Sequence, residues 1–304
     1  TDSMKLEYFR IGMEGGSTSS YAGIGTLAAG EWVQLTTDTP DIQTGGARGV
    51  FLEGQVPGNV NTSGIDYVNI ATKANGINFG DLSLSRRQGA GLGSPTRGVF
   101  TGGYLHASPF LRYNVIDYIT MSSEGNAIDF GDLTSIRGAI GAGSNATRGF
   151  IPGGTTADST TNTNVIDYLT ISSTGNAQDF GDLTEARNLN QGFASRTRGV
   201  ALGGVNAGTN KIDYVTMAST GDAVNFGDMQ IAATFSAGLS NATRGVMNGA
   251  SATLDYITIA STGDAIDFGS TTGINNNQFS GQIASPVRGI FSGGAPNGNT
   301  INFI

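Results

Sequence analysis

Cysteine is absent and histidine occurs once in 304 residues. Disulfides, thiolate zinc sites and cysteine nucleophiles are therefore excluded. So are a His-rich metal centre and a proton relay between two imidazoles. Charge is also scarce. Asp, Glu, Lys and Arg make up 13% of the chain, about half the usual share, which leaves little to solvate long helices. Lys and Arg number 16 against 24 Asp and Glu, a net charge of −8. With no basic cluster to neutralise phosphates, nucleic acid is not an expected partner. No apolar run approaches the ~18 residues of a membrane span, so no membrane insertion is expected. No signal peptide opens the chain, and Thr1 is expected to follow a removed Met or a processed start.

What is present is glycine, 48 residues of it, and internal repetition. Ile65-Asp66-Tyr67 recurs as Ile116-Asp117-Tyr118, Ile166-Asp167-Tyr168, Ile212-Asp213-Tyr214 and Leu254-Asp255-Tyr256. Thirteen residues after each Asp stands Phe79, Phe130, Phe180, Phe226 or Phe268, each followed by Gly. An Arg-Gly pair then arrives at Arg97, Arg148, Arg198, Arg244 and Arg288, with an earlier copy at Arg48. Phe to Arg is 18 residues four times and 20 once, whereas Arg to the next Asp runs from 11 to 20. Fixed spacings mark framework. The one variable connection marks a loop, where insertions cost little.

Each unit reads as four short strands. Strand A is a small-residue run such as Gly138–Ser144. Strand B is the Arg-Gly-Val segment, such as Arg97–Thr101, ending in Gly-Gly. Strand C is Ile-Asp-Tyr-Ile-Thr-Met at 116–121, and strand D is Ala-Ile-Asp-Phe-Gly-Asp-Leu at 127–133. Ile, Val, Tyr, Phe and Thr suit a pleated sheet. The C–D link, Ser-Ser-Thr-Gly-Asn at 172–176, is a hairpin turn with Gly in a fixed place. Strand C carries apolar or β-branched residues on both faces, so both are expected to be covered. Four antiparallel strands repeated every 42–51 residues indicate an all-β fold, a β-propeller of four-stranded blades. A helical solenoid is excluded by the lack of a 3.6 period, and a β-helix is disfavoured because its coils are shorter.

The arrangement resembles the kelch class of propellers. Gly102-Gly103, Gly153-Gly154, Gly203-Gly204 and Gly293-Gly294 match the double glycine after strand B. The five phenylalanines stand where kelch repeats have Trp. Arg86 or Arg87, Arg137 and Arg187 match the Arg before strand A. The unit itself, typified by residues 164–184 followed by Thr-Arg-Gly-Val, resembles repeats in virion structural proteins of tailed bacteriophages. That resemblance spans five units from 65 to 304 and implies a fibre, appendage or decoration role.

A single propeller domain over 1–304 is expected, with units near 10–47, 48–96, 97–147, 148–197, 198–243, 244–287 and 288–304. Arg10–Gly16 resembles strand B, and Trp32 would be a strand D aromatic. The segment Met4–Phe9 would complete the last blade and join the termini. Seven blades is the preferred count, with six plus a separate N-terminal arm as the alternative.

The repeated carboxylates Asp66, Asp117, Asp167, Asp213 and Asp255 fall mid-strand. A buried carboxylate needs pairing, and the Arg-Gly arginines are the natural partners. Recurrence in every unit argues for a structural ladder, not a catalytic set. Asp81, Asp132, Asp182 and Asp228 are read as turn-closing residues. No calcium loop or phosphate-binding glycine motif appears. No catalytic residue, metal or cofactor is therefore expected.

In a four-strand meander, the B–C and D–A connections share one face. Among the variable B–C loops, 104–113 stands out. It supplies the candidate binding residues Tyr104, His106, Phe110, Arg112 and Tyr113, because aromatics and Arg dominate binding hot spots. The competing reading is that the loop buries its rings on its own blade. These features point to a non-enzymatic virion module on the particle surface or tail, oligomeric in the particle. Its expected partners are other phage proteins and a host surface glycan. A glycan hydrolase or lyase on the same scaffold is the alternative.

Overall fold

The computed structural model describes residues 5–10, 31–36, 48–52, 54–56, 60–70, 75–106, 110–158, 160–205, 209–232, 237–248, 253–270, 281–285, 288–292 and 301–304. Two compact units are present, Thr1–Ile42 and Gln43–Ile304. In the first, Lys5–Arg10 pairs antiparallel with Glu31–Thr36, setting Phe9 opposite Trp32. The segment expected to complete the last blade and the residue expected on a strand D thus lie on paired strands of one hairpin.

The second unit is all-β, with no helix among the described residues, and its sheets form a β-propeller arrangement. Five sheets carry strands B, C and D and form the blades. Blade 1 consists of Arg48–Leu52, Gly64–Asn69 and Ile77–Asp81. Blade 2 adds strand A, and runs Ala90–Gly93, Arg97–Thr101, Val115–Thr120 and Ile128–Asp132. Blade 3 is Gly143–Ser144, Arg148–Pro152, Val165–Thr170 and Gln178–Asp182. Blade 4 is Gln191–Ala194, Arg198–Leu202, Lys211–Thr216 and Val224–Asp228. Blade 5 is Ala237–Ser240, Arg244–Asn248, Thr253–Thr258 and Ile266–Ser270. A further sheet, Gly281–Ser285, Arg288–Ser292 and Ile301–Phe303, holds A, B and C only.

The blade count therefore differs from both seven and six. The difference arises at the two ends. Around Trp32 the described strands pair with each other, and the C-terminal sheet has no D strand among the described residues. Strand A is also shorter than expected in blade 3. Arg137–Gly138 leaves the blade to pair with Thr155–Thr156, so only Gly143–Ser144 remains.

Strand C is covered on both faces, as its composition implied. Ile116 and Asp117 are adjacent in sequence and both fully buried, as are Ile166 and Asp167. Consecutive strand residues point to opposite faces. A register shift in the C–D pairing falls immediately before each repeated Asp, between Ile116 and Asp117 and at the same place in blades 1, 3, 4 and 5. A bulge re-aims the side chain that follows it.

Adjacent blades are joined by a backbone seam. The turn glycine of one blade donates its N–H to the strand D Phe carbonyl of the blade before it: Gly125 to Phe79 at 2.9 Å, Gly175 to Phe130 at 2.7 Å, Gly221 to Phe180 at 2.7 Å and Gly263 to Phe226 at 2.8 Å. Two residues on, Ala127, Ala177, Ala223 and Ala265 donate to Asp81, Asp132, Asp182 and Asp228 carbonyls at 2.7–2.8 Å. This closeness explains the Gly of Phe-Gly-Asp. Gly181 has φ +141°, and a Cβ there would lie 2.5 Å from the Gly221 carbonyl carbon. The Gly of Arg-Gly is needed for space. A Cβ on Gly149 would meet Leu92 at 2.6 Å, and one on Gly245 would meet Phe193 at 2.2 Å. The C-terminal sheet reaches blade 1 by the same means, since Arg288 donates to the Ile70 carbonyl at 2.9 Å and Ile290 clusters with Val68 and Ile70.

Gly269 shares the backbone of Gly181, with φ +136°, but nothing lies within 4 Å of its Cβ position. Gly181→Ala and Gly269→Ala therefore incur similar backbone strain, and only the first also incurs a steric clash. Gly181→Ala should lower stability by about 1–3 kcal/mol more than Gly269→Ala. Urea unfolding midpoints of the two variants test this; equal midpoints would show that the seam does not depend on close approach.

Candidate functional site

Two sets of charged residues recur through the blades. The first is buried. Arg86 pairs with Asp117 at 2.9 Å, Arg137 with Asp167 at 2.7 Å and Arg187 with Asp213 at 2.9 Å, and all six side chains are 0–1% exposed. Each Arg comes from the D–A connector entering the blade that supplies the Asp. The connector's first hydroxyl joins in: Ser83, Thr134 and Thr184 donate from both Oγ and N–H to Asp117, Asp167 and Asp213. Desolvation pulls the three guanidinium pKa values down, and the facing carboxylates oppose that shift. This is the structural ladder expected from the sequence, with one correction. The partners are the connector arginines and not the Arg-Gly arginines. Of the doublet, Arg86 takes the ion pair.

The Arg-Gly arginines serve elsewhere. Arg97, Arg148, Arg198 and Arg244 lie 4.5–4.7 Å over the rings of Tyr118, Tyr168, Tyr214 and Tyr256. Each Tyr meets its strand D Phe edge-on, at 5.7–6.1 Å. Three of these arginines also donate to the next blade, Arg97 to Ile171 O, Arg148 to Met217 O and Arg198 to Ile259 O at 2.7–3.0 Å. They are inter-blade clamps. The Phe-Gly-Asp aspartates act mainly through the main chain. Their carbonyls accept from the next blade's Ala, and the N–H groups of Asp81 and Asp132 donate to Asn126 and Asn176 side chains. Asp81 also accepts from Ser63 Oγ at 3.0 Å.

The B–C connection of blade 2 is different in kind. Tyr104–Leu105 pairs with Leu111–Arg112 as a small hairpin. Phe110 stacks on His106 with ring centroids 5.0 Å apart and meets Tyr104 edge-on at 5.8 Å. Arg87 and Arg112 lie over the Tyr104 ring at 4.9 and 5.6 Å. Arg87 also contacts His106 Nδ1 at 2.7 Å. A guanidinium can only donate, so Nδ1 accepts and the ring proton sits on Nε2. Tyr113 joins through its N–H, which donates to Gly103 O at 2.9 Å.

Tyr104, His106, Phe110 and Arg112 are thus gathered into one cluster. Tyr104, His106, Arg112 and Tyr113 are half-buried, while Phe110 and Leu111 remain 47% and 48% exposed. Burial lowers the Arg112 pKa, and the charge of Asp158 on the neighbouring 155–164 loop works the other way. Asp158 accepts from Thr156, Thr160 and Thr161, which holds its carboxyl well below the usual carboxylate range. Arg87 is the member that the loop sequence alone did not name. The signal available was the Arg86-Arg87 doublet, where the other connectors have Arg137-Gly138 and Arg187-Asn188. The chain matches no protein-family model and no curated protein.

Blade 5 tests the ladder. Asp255 is buried but accepts from Gln230 N–H at 3.1 Å where its counterparts face an Arg. Desolvation raises its pKa. A raised carboxyl pKa favours folding below the unfolded value, and that contribution is lost as pH rises through the folded value. At neutral pH the Asp255 charge therefore opposes folding. Asp255→Asn should leave thermal stability at pH 7 unchanged or higher. Asp167→Asn strips the counter-charge from fully buried Arg137 and should cost about 3–5 kcal/mol. Melting curves of the two variants between pH 3 and 7 decide. Equal destabilisation by both at pH 7 would refute the assignment of connector arginines as the partners.

Proposed function

We propose that this chain is a non-enzymatic structural and interaction module of a tailed-phage particle. It would bind other virion proteins through the face bearing the 104–113 hairpin, with a host-surface glycan as a further ligand of that face. The observation that carries this reading is a division of labour. The paired Asp and Arg side chains of blades 2 to 4 are committed to internal bonds. The cluster of Tyr104, His106, Phe110 and Arg112 does not recur and leaves Phe110 and Leu111 in water. Exposed aromatic faces flanked by guanidinium groups suit both a protein anchor and a sugar ring. The resemblance of the repeat unit to virion structural repeats supplies the setting. Localisation at the particle surface and assembly with further copies belong to the same proposal.

Phe110→Ala and Arg112→Ala should leave the melting temperature within a few degrees, because the blade 2 strands keep their own ladder. Incorporation into particles, or particle adsorption to host cells, should fall by about ten-fold for Phe110→Ala. Particles carrying that variant at normal copy number and adsorbing normally would overturn the role of this face.

A further inference from the structure

Four junctions define what a blade presents to its successor and what it receives. Blade 1 presents Arg48, Phe79 and Gly80, and the C–D turn of blade 2 fills that site. Blades 2, 3 and 4 repeat the arrangement. In each filled junction the strand D Phe is only 2–3% exposed. The turn glycine and alanine donate to the Phe and Asp carbonyls. A turn Asn or Asp accepts from the strand D N–H at 3.0–3.1 Å. The strand B Arg donates to the carbonyl that opens the turn.

Blade 5 presents the same surface. Arg244 stands over Tyr256 at 4.5 Å, and Tyr256 meets Phe268 edge-on at 6.1 Å. Yet Phe268 is 39% exposed, Arg244 is exposed, and nothing lies within 4 Å of the Gly269 Cβ position. A groove of about 170 Å³ runs there, lined by Leu239, Arg244, Val246, Phe268 and Ile304 among others. The C-terminal sheet beside it ends at strand C, so no C–D turn follows among the described residues.

From this we infer that the groove at Arg244 and Phe268 is a docking site for a turn-and-strand segment donated by another protein. The segment has the chemistry of the repeat's own C–D hairpin: a Gly followed by Asn or Asp and then Ala, running into an alternating apolar strand. The argument for this occupant is continuity with the four filled junctions, which present the same groups in the same order. The turn glycine would donate to the Phe268 carbonyl, the Asn or Asp would accept from Ser270 N–H, and Arg244 would cap the carbonyl opening the turn. The incoming strand would extend the C-terminal sheet by edge addition. Donation in trans would let the ring carry a partner without a dedicated binding loop. The site is independent of the phage role proposed above.

The test uses the full chain and a synthetic peptide of residues 169–183, the blade 3 hairpin. Binding is followed by calorimetry, and amide exchange is read over 266–270. The peptide should bind and slow exchange at Ser270. Arg244→Ala should weaken it by about ten-fold, the loss of one charge-assisted bond. Asn176→Ala in the peptide should weaken it similarly, and a scrambled peptide should not bind. Circular dichroism and melting of Arg244→Ala confirm its fold; should it fail to fold, the peptide variant and the exchange data carry the same test. No binding would overturn the inference and point to residues of the chain itself filling the groove. Equal binding of the Asn176→Ala or scrambled peptide would overturn it as well.

Discussion

The N–H of a turn glycine donating to the phenylalanine carbonyl of the preceding blade is the contact on which the rest depends. It fixes how close two blades come, and that closeness dictates residue choice on both sides. Gly80, Gly131, Gly181 and Gly227 each sit with a would-be Cβ 2.3–2.5 Å from the next turn's backbone. The same approach brings the clamp arginines within reach of the next blade's carbonyls and seals the phenylalanines from water. Where the contact is missing, at Phe268, the ring of the same residue type becomes exposed. Exposure in this protein therefore tracks the presence of a neighbour more than the hydrophobicity of the residue.

The fixed spacings were legible because both of their ends are tied. The interval of 13 between Asp and Phe spans the bulge, the turn and strand D, and an extra residue anywhere in it would break the seam or turn the Asp away from its connector. The interval of 18 between Phe and Arg spans the connector whose Arg must reach the buried Asp. The B–C connection has no such double anchor, so its length varies. The pairing of charges was not legible. Arg97 and Arg86 lie at comparable distances in sequence from Asp117, and sequence alone does not say which strand face each occupies. The pairing of Arg148 with Thr170 and of Phe150 with Tyr168 across strands B and C sets the Arg-Gly arginine at the far end of strand C from the carboxylate. The connector Arg arrives beside it.

The ends of the chain misled for a related reason. Counting residues from Tyr21 to Trp32 imitates the Tyr-to-Phe interval of a blade. A blade, however, is defined by what a strand pairs with, and Glu31–Thr36 pairs with Lys5–Arg10. Spacing reports a repeat only where cross-strand partners are also repeated, and the N-terminal region lacks the Ile-Asp-Tyr and Phe-Gly-Asp signatures that carry those partners. The candidate loop was legible in composition but not in arrangement. Three rings and an Arg within ten residues mark 104–113, while the contribution of Arg87 depends on a bridge between the connector and Tyr104.

Scarcity of charge connects fold and function. With 13% charged residues, nearly half the arginines are drawn into two recurrent structural tasks, ion pairing inside the blades and clamping between them. A buried ion pair contributes little net stability, since desolvation offsets attraction. Its value is directional: an Arg inserted from the connector accepts only the blade whose bulge aims an Asp at it. The chain in this way rejects misregistered blades that its near-identical repeats would otherwise permit. A framework so fully internally satisfied has few groups left with which to recognise anything else. Recognition then falls to positions where the repeat is broken, either by an added side-chain cluster, as at Arg87, Tyr104 and Phe110, or by an incomplete junction, as at Arg244 and Phe268. In a repeat protein of this kind the departures from the pattern, and not the pattern, are where binding chemistry has room to arise.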